Sequence, residues 1–453
     1  MSAYRAPLSD AESFLAAHPE VRYIHVLHTD NNGVHRGKAL RPDELLSFYR
    51  EGRPLPSSSA SLTLHGDDVE NSGLLWEVGD MDCQLFPVAG TLVPCPWLVT
   101  PTAQVLAMLD PVLGMPSAVA DPRLAAARVV ERYAARGLTP VLAVELEFYL
   151  LEGNNQARPP RPVTPRGAHP HVYNMEEVEA LAPFLDDLYR ACDTQGLPAE
   201  TAISEFGPGQ LEITLLHRAD ALRALDEGVM FKRLVKGVAR KHGYLACFMA
   251  KPYAAASGSG MHLHFSVNDA DGANIFASEA PEGPPALRHA IGGMAATAAD
   301  FMALFAPHAN SYRRYASNSY APLAPSWGVN NRTVALRVPA GPASSRHVEH
   351  RICGADANPY LAAAAVMAGV LHGMEQAIDP GPPVTGNGYA SSAAAPLPHH
   401  WPDAIERFAN SKLAQEYFTP RFVEVYTAVK RAECQRFFSE VTSQDYDWYL
   451  EGA

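Results

Sequence analysis

The chain has 453 residues, 47% hydrophobic and 19% charged, a composition that excludes a collagen-like or wholly disordered protein. Its 36 basic and 49 acidic residues leave a formal net charge of −13, and with no Lys/Arg cluster nucleic acid is not an expected partner. No apolar run reaches the roughly 18 residues of a membrane span, and the N-terminus lacks a signal-peptide layout. A cytoplasmic protein without a membrane partner is therefore expected. Six cysteines (Cys83, Cys95, Cys192, Cys247, Cys353, Cys434) stand singly, with no CxxC pair, and read as reduced thiols rather than a zinc site. The length admits about three domain-sized units, or a small domain followed by a large one.

The first hundred residues read as a small α+β unit. Residues 19–27 offer an apolar strand, TDNNG at 29–33 a turn, and 34–40 a returning strand. Further strand-like pieces fall at 61–64 and 90–99, and a proline-rich stretch at 111–122 marks a boundary. Asp121-Pro122 supplies an N-cap and first-turn pair for a helix that stops at Gly137. More helices are predicted at 176–195, 218–242, 287–305, 358–377 and 402–440, with a Pro/Gly/Ser/Ala surface loop at 380–400.

The informative residues lie on short strands between those helices. In VLAVELEFYLL, Leu142, Val144, Leu146, Phe148 and Leu150 alternate on one face, and Glu145 and Glu147 share the other, about 7 Å apart. Taken alone, that pair fits a solvated edge strand as well as a site. The layout then recurs. SEFGPGQLEITL carries Glu205 and Glu212, GSGMHLHFSV carries His262, His264 and Ser266 on one face, and RHVEHRI carries Glu349 and Arg351. Five glutamates and a histidine suit a hard cation, Mg²⁺ or Mn²⁺, better than zinc. Arg313, Arg314, Arg332, Arg337, Arg346 and Arg351 crowd into about forty residues, and a guanidinium fork suits carboxylate and phosphate. A surface ion pair accounts for Arg313 and Arg346. Divalent metal plus arginines suggests phosphoryl transfer, without a P-loop, since GxxxxGK[ST] is absent.

Over essentially its whole length the sequence resembles the class I glutamine synthetase family. The resemblance is carried by VELEF (144–148), SEFGPGQLEI (204–213), GSGMHLH (258–264), NSYRR (310–314), NNR (330–332) and HVEHR…NPYLAAAA from His347, in that order. It implies an α+β protein: an N-terminal β-grasp domain (18–112), then a glutamine-synthetase catalytic domain (118–453) with a curved antiparallel sheet flanked by helices. It also implies a homo-oligomer, a dodecamer of two hexameric rings. Carried over, Glu147, Glu205 and Glu212 match the ligands of one metal, and Glu145, His262 and Glu349 those of a second. Arg332 and Arg337 match residues that hold the nucleotide phosphates and the transferring phosphoryl group. Arg314 and Arg351 match those that grip glutamate, with Ser257, Gly258 and Tyr173 on the same substrate side. Glu200, His264 and Ser266 fall at ATP-side positions. The implied reaction uses ATP to phosphorylate the γ-carboxylate of L-glutamate, after which an amine displaces phosphate.

Two departures bear on the amine. The loop that holds an ammonium-binding Asp in true glutamine synthetases reads RPLPSSSAS here, with Pro56 or Ser57 in its place. The catalytic flap Glu, six residues after the Arg of the NSYKR-type motif, is replaced by Tyr320. An Asn five residues before the metal His is replaced by Ser257. The segment HPEVRYIHVLHTDNNGVHRGKALRP, the LPSS loop and the C-terminal DYDWYL are most similar to the γ-glutamylpolyamine (glutamylputrescine) synthetase branch. The resemblance therefore implies putrescine or another polyamine as acceptor. Ammonia or a monoamine such as ethanolamine is the alternative. A non-catalytic structural relative and a two-metal hydrolase are the readings from other classes.

Overall fold

The computed structural model describes residues 5–153, 157–164, 169, 172–391 and 395–453. A helix, Leu8–Ala17, precedes a sheet built from β1 (Tyr23–Thr29), β2 (His35–Leu40), β3 (Arg53–Pro56), β4 (Asp82–Pro87), β5 (Val93–Pro94) and β6 (Thr102–Leu109). Its order is β2-β1-β6-β4-β3, with β5 also on β6; β1 and β6 run parallel at the centre. The segment 61–64 is not a strand: Ser57–Ala60 forms a 3-10 turn, and the Thr63 amide donates to Asp67 in a second turn. Only Val93–Pro94 of 90–99 pairs. The main strand lies just beyond it in β6, all eight residues of which are buried, so it lacks the alternation that marks a one-sided strand.

The Asp121 carboxylate accepts from the Leu124 amide at 3.0 Å and caps the helix Pro122–Ala134. The stretch 402–440 forms three helices, Trp401–Asn410, Lys412–Phe418 and Pro420–Ser439. Ser411 caps the second and Thr419, with φ +76°, the third. Likewise 176–195 breaks at Leu181 into Met175–Ala180 and Ala182–Gln195. At Ser411 and Thr419 a short polar side chain takes over a terminal amide, which makes those breaks inexpensive; Leu181 offers no such cap.

The second sheet comprises β7 (Thr139–Glu152), β8 (Ala199–Ser204), β9 (Gln210–Leu215), β10 (Tyr244–Cys247), β11 (Met261–Asn268), β12 (Trp327–Val329), β13 (Leu336–Val338) and β14 (Val348–His350). The order is β12-β13-β14-β11-β7-β9-β8, with β10 on the far end of β7. Every pair is antiparallel except β12–β13. The helix Ala221–Lys241 packs against β7 and β10, and Pro359–Gln376 packs in turn on that helix and on Pro122–Ala134. Arg123 clamps them by a two-pronged bond to Asp226 (2.8 and 2.9 Å), whose carboxylate also accepts from the Tyr360 hydroxyl at 2.6 Å.

Pro359–Gln376 is buried over most of its length, and it packs on Pro285–Thr297 through glycines. A Cβ on Gly293 would stand 2.1 Å from the Gly369 carbonyl oxygen and 2.4 Å from the Gly373 Cα. The obstruction is backbone, which no rotamer change relieves. Gly293→Ala should therefore destabilise the protein by about 1–3 kcal/mol, despite alanine's better helix propensity. Chemical denaturation reads the change; an unchanged or higher midpoint would mean the two helices can separate freely.

Candidate active site

Strand register brings the ionisable residues together. In an antiparallel sheet, directly opposed residues share a face. Glu147 pairs with Glu212 across β7–β9, and Glu145 with His262 across β7–β11. His264 pairs with Glu349 across β11–β14, and Glu349 with Arg337 across β14–β13. One polar stripe thus crosses five strands, while Leu146, Phe148, Leu211, Ile213, Met261 and Leu263 turn into the core behind it.

Above the stripe lies a cavity of about 210 Å³. Glu147, Glu212 and His262 of the stripe form its floor, and Glu205, Arg314, Arg332, Arg351, Ser257, Gly258, Tyr173 and Tyr320 also line it. Tyr320, with φ +58°, stacks on Phe206 at 5.6 Å between ring centroids. Tyr320 and Arg332 also line a neighbouring cavity of about 1000 Å³, together with Glu282, Asn330 and the segment 383–386.

Each floor group is positioned by specific bonds. His262 Nδ1 lies 2.5 Å from Glu145 Oε1 and 3.5 Å from Glu349 Oε1. Glu147 accepts from the Gly260 amide at 2.8 Å and from Gln210 Nε2 at 3.3 Å. The Glu349 carboxylate accepts from Arg337 at 2.8 Å and from Arg351. Arg314, 5% exposed, donates to the Ile352 carbonyl at 2.9 Å. Gly258 and Gly260 make room for it: a Cβ on Gly258 would meet Arg314 Cγ at 2.8 Å, and one on Gly260 would meet Arg314 Nη2 at 2.7 Å. The Ser257 carbonyl accepts from Tyr149, and that of Gly258 from Gln210.

Other predicted residues stand apart from this cavity. Glu200 is exposed on β8, with its carbonyl accepting from Tyr189. Ser266 is buried four residues beyond His262 on the same face of β11. His264 contacts Glu145 and His347 instead. Ser57 is fully buried beside the N-terminal sheet, donating to the Leu74 carbonyl, and is not among the residues lining the cavity. Arg346 is no surface ion pair: it is 6% exposed and donates to the Ser278 carbonyl. Phe206 and Gln210, both in SEFGPGQLEI, were not expected to line the cavity; their place beside Glu205 in a tight turn was the available signal.

The electrostatics show what the site lacks. Burial, with the nearby Glu147 charge, pushes the Glu205 carboxyl up to about 7. Burial and the charges of Glu145, Glu147 and Glu205 push Glu212 to about 11. Burial acts the same way on Glu145, but hydrogen bonds from His262 and His264 hold it well below the usual range. Burial is also outweighed at Glu349, held at about 2 by Arg351 and the two histidines. The buried Nε2 of His262 has no hydrogen-bond partner among the described residues and sits 3.9 Å from Glu147 Oε1. Ligand atoms of Glu145, His262 and Glu349, and separately of Glu147, Glu212 and His262, lie within 4.8 Å of one another. Glu205 lines the cavity but belongs to neither set. Crowded carboxylates and an unpaired imidazole nitrogen fit divalent cations.

A carboxyl raised from 4.5 to about 7 contributes stability that is full below 4.5 and lost as pH climbs through 7. Chelator-treated protein should therefore lose thermal stability between pH 5 and 8, and Mg²⁺ or Mn²⁺ should restore it. At about 100 times its Kd a cation adds about 2.7 kcal/mol. Melting curves test this; no cation response in the wild type, or a full response in Glu212→Gln, would contradict the assignment.

The model of the glutamine synthetase catalytic domain matches residues 119–449. The chain is 38% identical to gamma-glutamylputrescine synthetase PuuA of Escherichia coli, over 98% of this chain and 95% of that one. It is 35% identical to a glutamate–isopropylamine ligase of Pseudomonas, over 93% of each chain. It is also 35% identical to a gamma-glutamylethanolamide synthetase of Streptomyces coelicolor, over 83% of this chain and 79% of that one. The solved structure of a GmaS/ADP complex superposes with a TM-score of 0.84 at 24% identity, covering 97% of this chain and 99% of that one. The chain belongs to the glutamine synthetase family.

Proposed function

We propose that this protein is an ATP-dependent ligase that joins the γ-carboxylate of L-glutamate to a primary amine, putrescine or another polyamine, through a γ-glutamyl phosphate. A γ-carboxylate oxygen attacks the terminal phosphorus of ATP and ADP leaves. The amine, having given up its ammonium proton to water, then attacks the acyl carbon through its nitrogen lone pair; phosphate departs and the nitrogen releases a second proton to solvent, leaving the neutral amide. Carboxylate oxygen is a poor leaving group and phosphate a good one, which is why the reaction needs ATP. The domains assigned are a β-grasp unit over 18–112 and a catalytic unit over 118–453. The assembly assigned is a cytoplasmic dodecamer.

In this reading Glu147, Glu205 and Glu212 hold one divalent cation, and Glu145, His262 and Glu349 a second, Mg²⁺ or Mn²⁺ in each case. Bound there, the cations would neutralise charge on ATP and the transferring phosphoryl group. Arg332 and Arg337 hold the phosphoryl oxygens, with Arg332, Glu349 and Tyr320 counted as catalytic. Arg314 and Arg351 clamp the two ends of glutamate, assisted by Ser257, Gly258 and Tyr173. Glu200, His264 and Ser266 serve the nucleotide side.

One observation carries the choice of amine: Tyr320 stacked on Phe206 at the cavity wall. Ammonium needs carboxylates to capture the cation and draw off its proton, and a phenol stands where the flap acid belongs. Two aromatic faces instead suit an alkyl chain and a cation–π contact worth roughly 0.5–2 kcal/mol. An amine panel (ammonia, methylamine, ethanolamine, putrescine, spermidine) read by phosphate release tests this. Diamines and polyamines should lead and ammonia should be poor, while Tyr320→Glu should move preference toward ammonia. Efficient glutamine formation with no activity on larger amines would overturn the reading.

Arg332→Lys should lower kcat on the order of 100-fold while leaving the KM for glutamate nearly unchanged, because an ammonium meets one phosphoryl oxygen where a fork spans two. A raised KM for glutamate with kcat intact would make Arg332 a substrate clamp instead.

A further inference from the structure

Three histidines from separate segments meet beside the carboxylate floor. His217 follows β9, His264 is in β11, and His347 precedes β14. Their ring centroids are 5.2, 5.2 and 5.8 Å apart, and one nitrogen of each lies within 4.8 Å of the others. His217 is exposed and the other two half-buried, so the group is open to solvent.

The hydrogen bonds around the trio constrain where its protons sit. His347 Nδ1 is 2.8 Å from the Ser345 carbonyl, which only accepts, so Nδ1 carries hydrogen and neutral His347 presents a lone pair at Nε2. His264 Nε2 is 3.4 Å from the Glu145 carboxylate, which likewise places hydrogen on Nε2 and leaves the lone pair at Nδ1. Those two bare nitrogens face each other at 3.1 Å. Neither can donate to the other while both rings are neutral, so the contact is repulsive unless a cation or an extra proton comes between them.

The spacing also admits a cation. Two nitrogens bound at about 2.0–2.1 Å to a tetrahedral ion stand roughly 3.3 Å apart, close to the spacing here. A backbone carbonyl and a carboxylate behind the ligating rings are the outer partners that orient metal-bound histidines. Three imidazoles select a borderline transition metal, whereas the neighbouring oxygen-rich sets select a hard cation.

We infer that His217, His264 and His347 form a three-imidazole site for a divalent transition metal of the zinc class. The set is distinct from the two carboxylate cation sets; it shares His264 with the nucleotide side of the ligase reading, but its metal binding does not depend on that reading. With three protein ligands it keeps a coordination position open for water or an anionic oxygen.

Cobalt(II) serves as the probe, added to the full chain with Mg²⁺ in excess so that the oxygen sites are filled. Equilibrium dialysis counts bound Co²⁺, and its visible absorption reports nitrogen ligation. The wild type should bind one more Co²⁺ per chain than the His217→Ala/His347→Ala double variant, which should lose the absorption band. His217→Ala alone, at an exposed position, should weaken binding at least about tenfold and serves if the double variant does not fold. Glu212→Gln should keep the band, which separates this site from the carboxylate floor whatever the ligase assay shows. Equal stoichiometry and spectra in wild type and histidine variants, or no Co²⁺ band in the wild type, would overturn the inference.

Discussion

The structure depends on carboxylates held together on one face of a sheet. Glu147 and Glu212 oppose each other across β7–β9, with Glu145 two residues along and Glu205 lining the same cavity. Such a group repels itself, and burial increases the repulsion by removing water. The fold tolerates it because the opposite face of the same strands is continuous core. The repulsion is thereby converted into a demand for positive charge at a defined place.

The protein meets only part of that demand itself. Arg337 and Arg351 occupy Glu349, and His262 and His264 occupy Glu145, which keeps those two carboxyls ionised. Among the described residues neither Glu205 nor Glu212 accepts a hydrogen bond from a cationic side chain, and burial with neighbouring carboxylates outweighs the more distant Arg332 charge on Glu205, so both hold their protons more tightly. Arg314 faces the site at close range only because residues 258 and 260 carry no side chain. The glycines of the loop before β11 are therefore spacing elements for an arginine.

Much of this was legible in the sequence because a strand has a period of two. The alternation in VELEF and MHLHF predicted which residues share a face, and β-register then placed them side by side. The buried strand β6 was not legible, since burial on both faces erases alternation. The proline-containing β3 was missed because proline argues against a strand, yet β3 sits at the sheet edge where an absent amide costs nothing. Helix breaks at Leu181, Ser411 and Thr419 were hidden inside apolar periodicity that continues across them. The Phe206–Tyr320 stack joins segments more than a hundred residues apart, and no local pattern announces it.

The central claim is that an acyl phosphate of glutamate is made and then consumed by an alkyl amine. Glutamate labelled with oxygen-18 in its γ-carboxylate tests it directly, with ATP, putrescine and Mg²⁺ present and the released phosphate examined by mass spectrometry. The account predicts one labelled oxygen in each phosphate released, with label transfer rising and falling with formation of the γ-glutamyl amide. Phosphate released without label would mean that water, not the glutamate carboxylate, attacks ATP, and the proposed chemistry would be wrong.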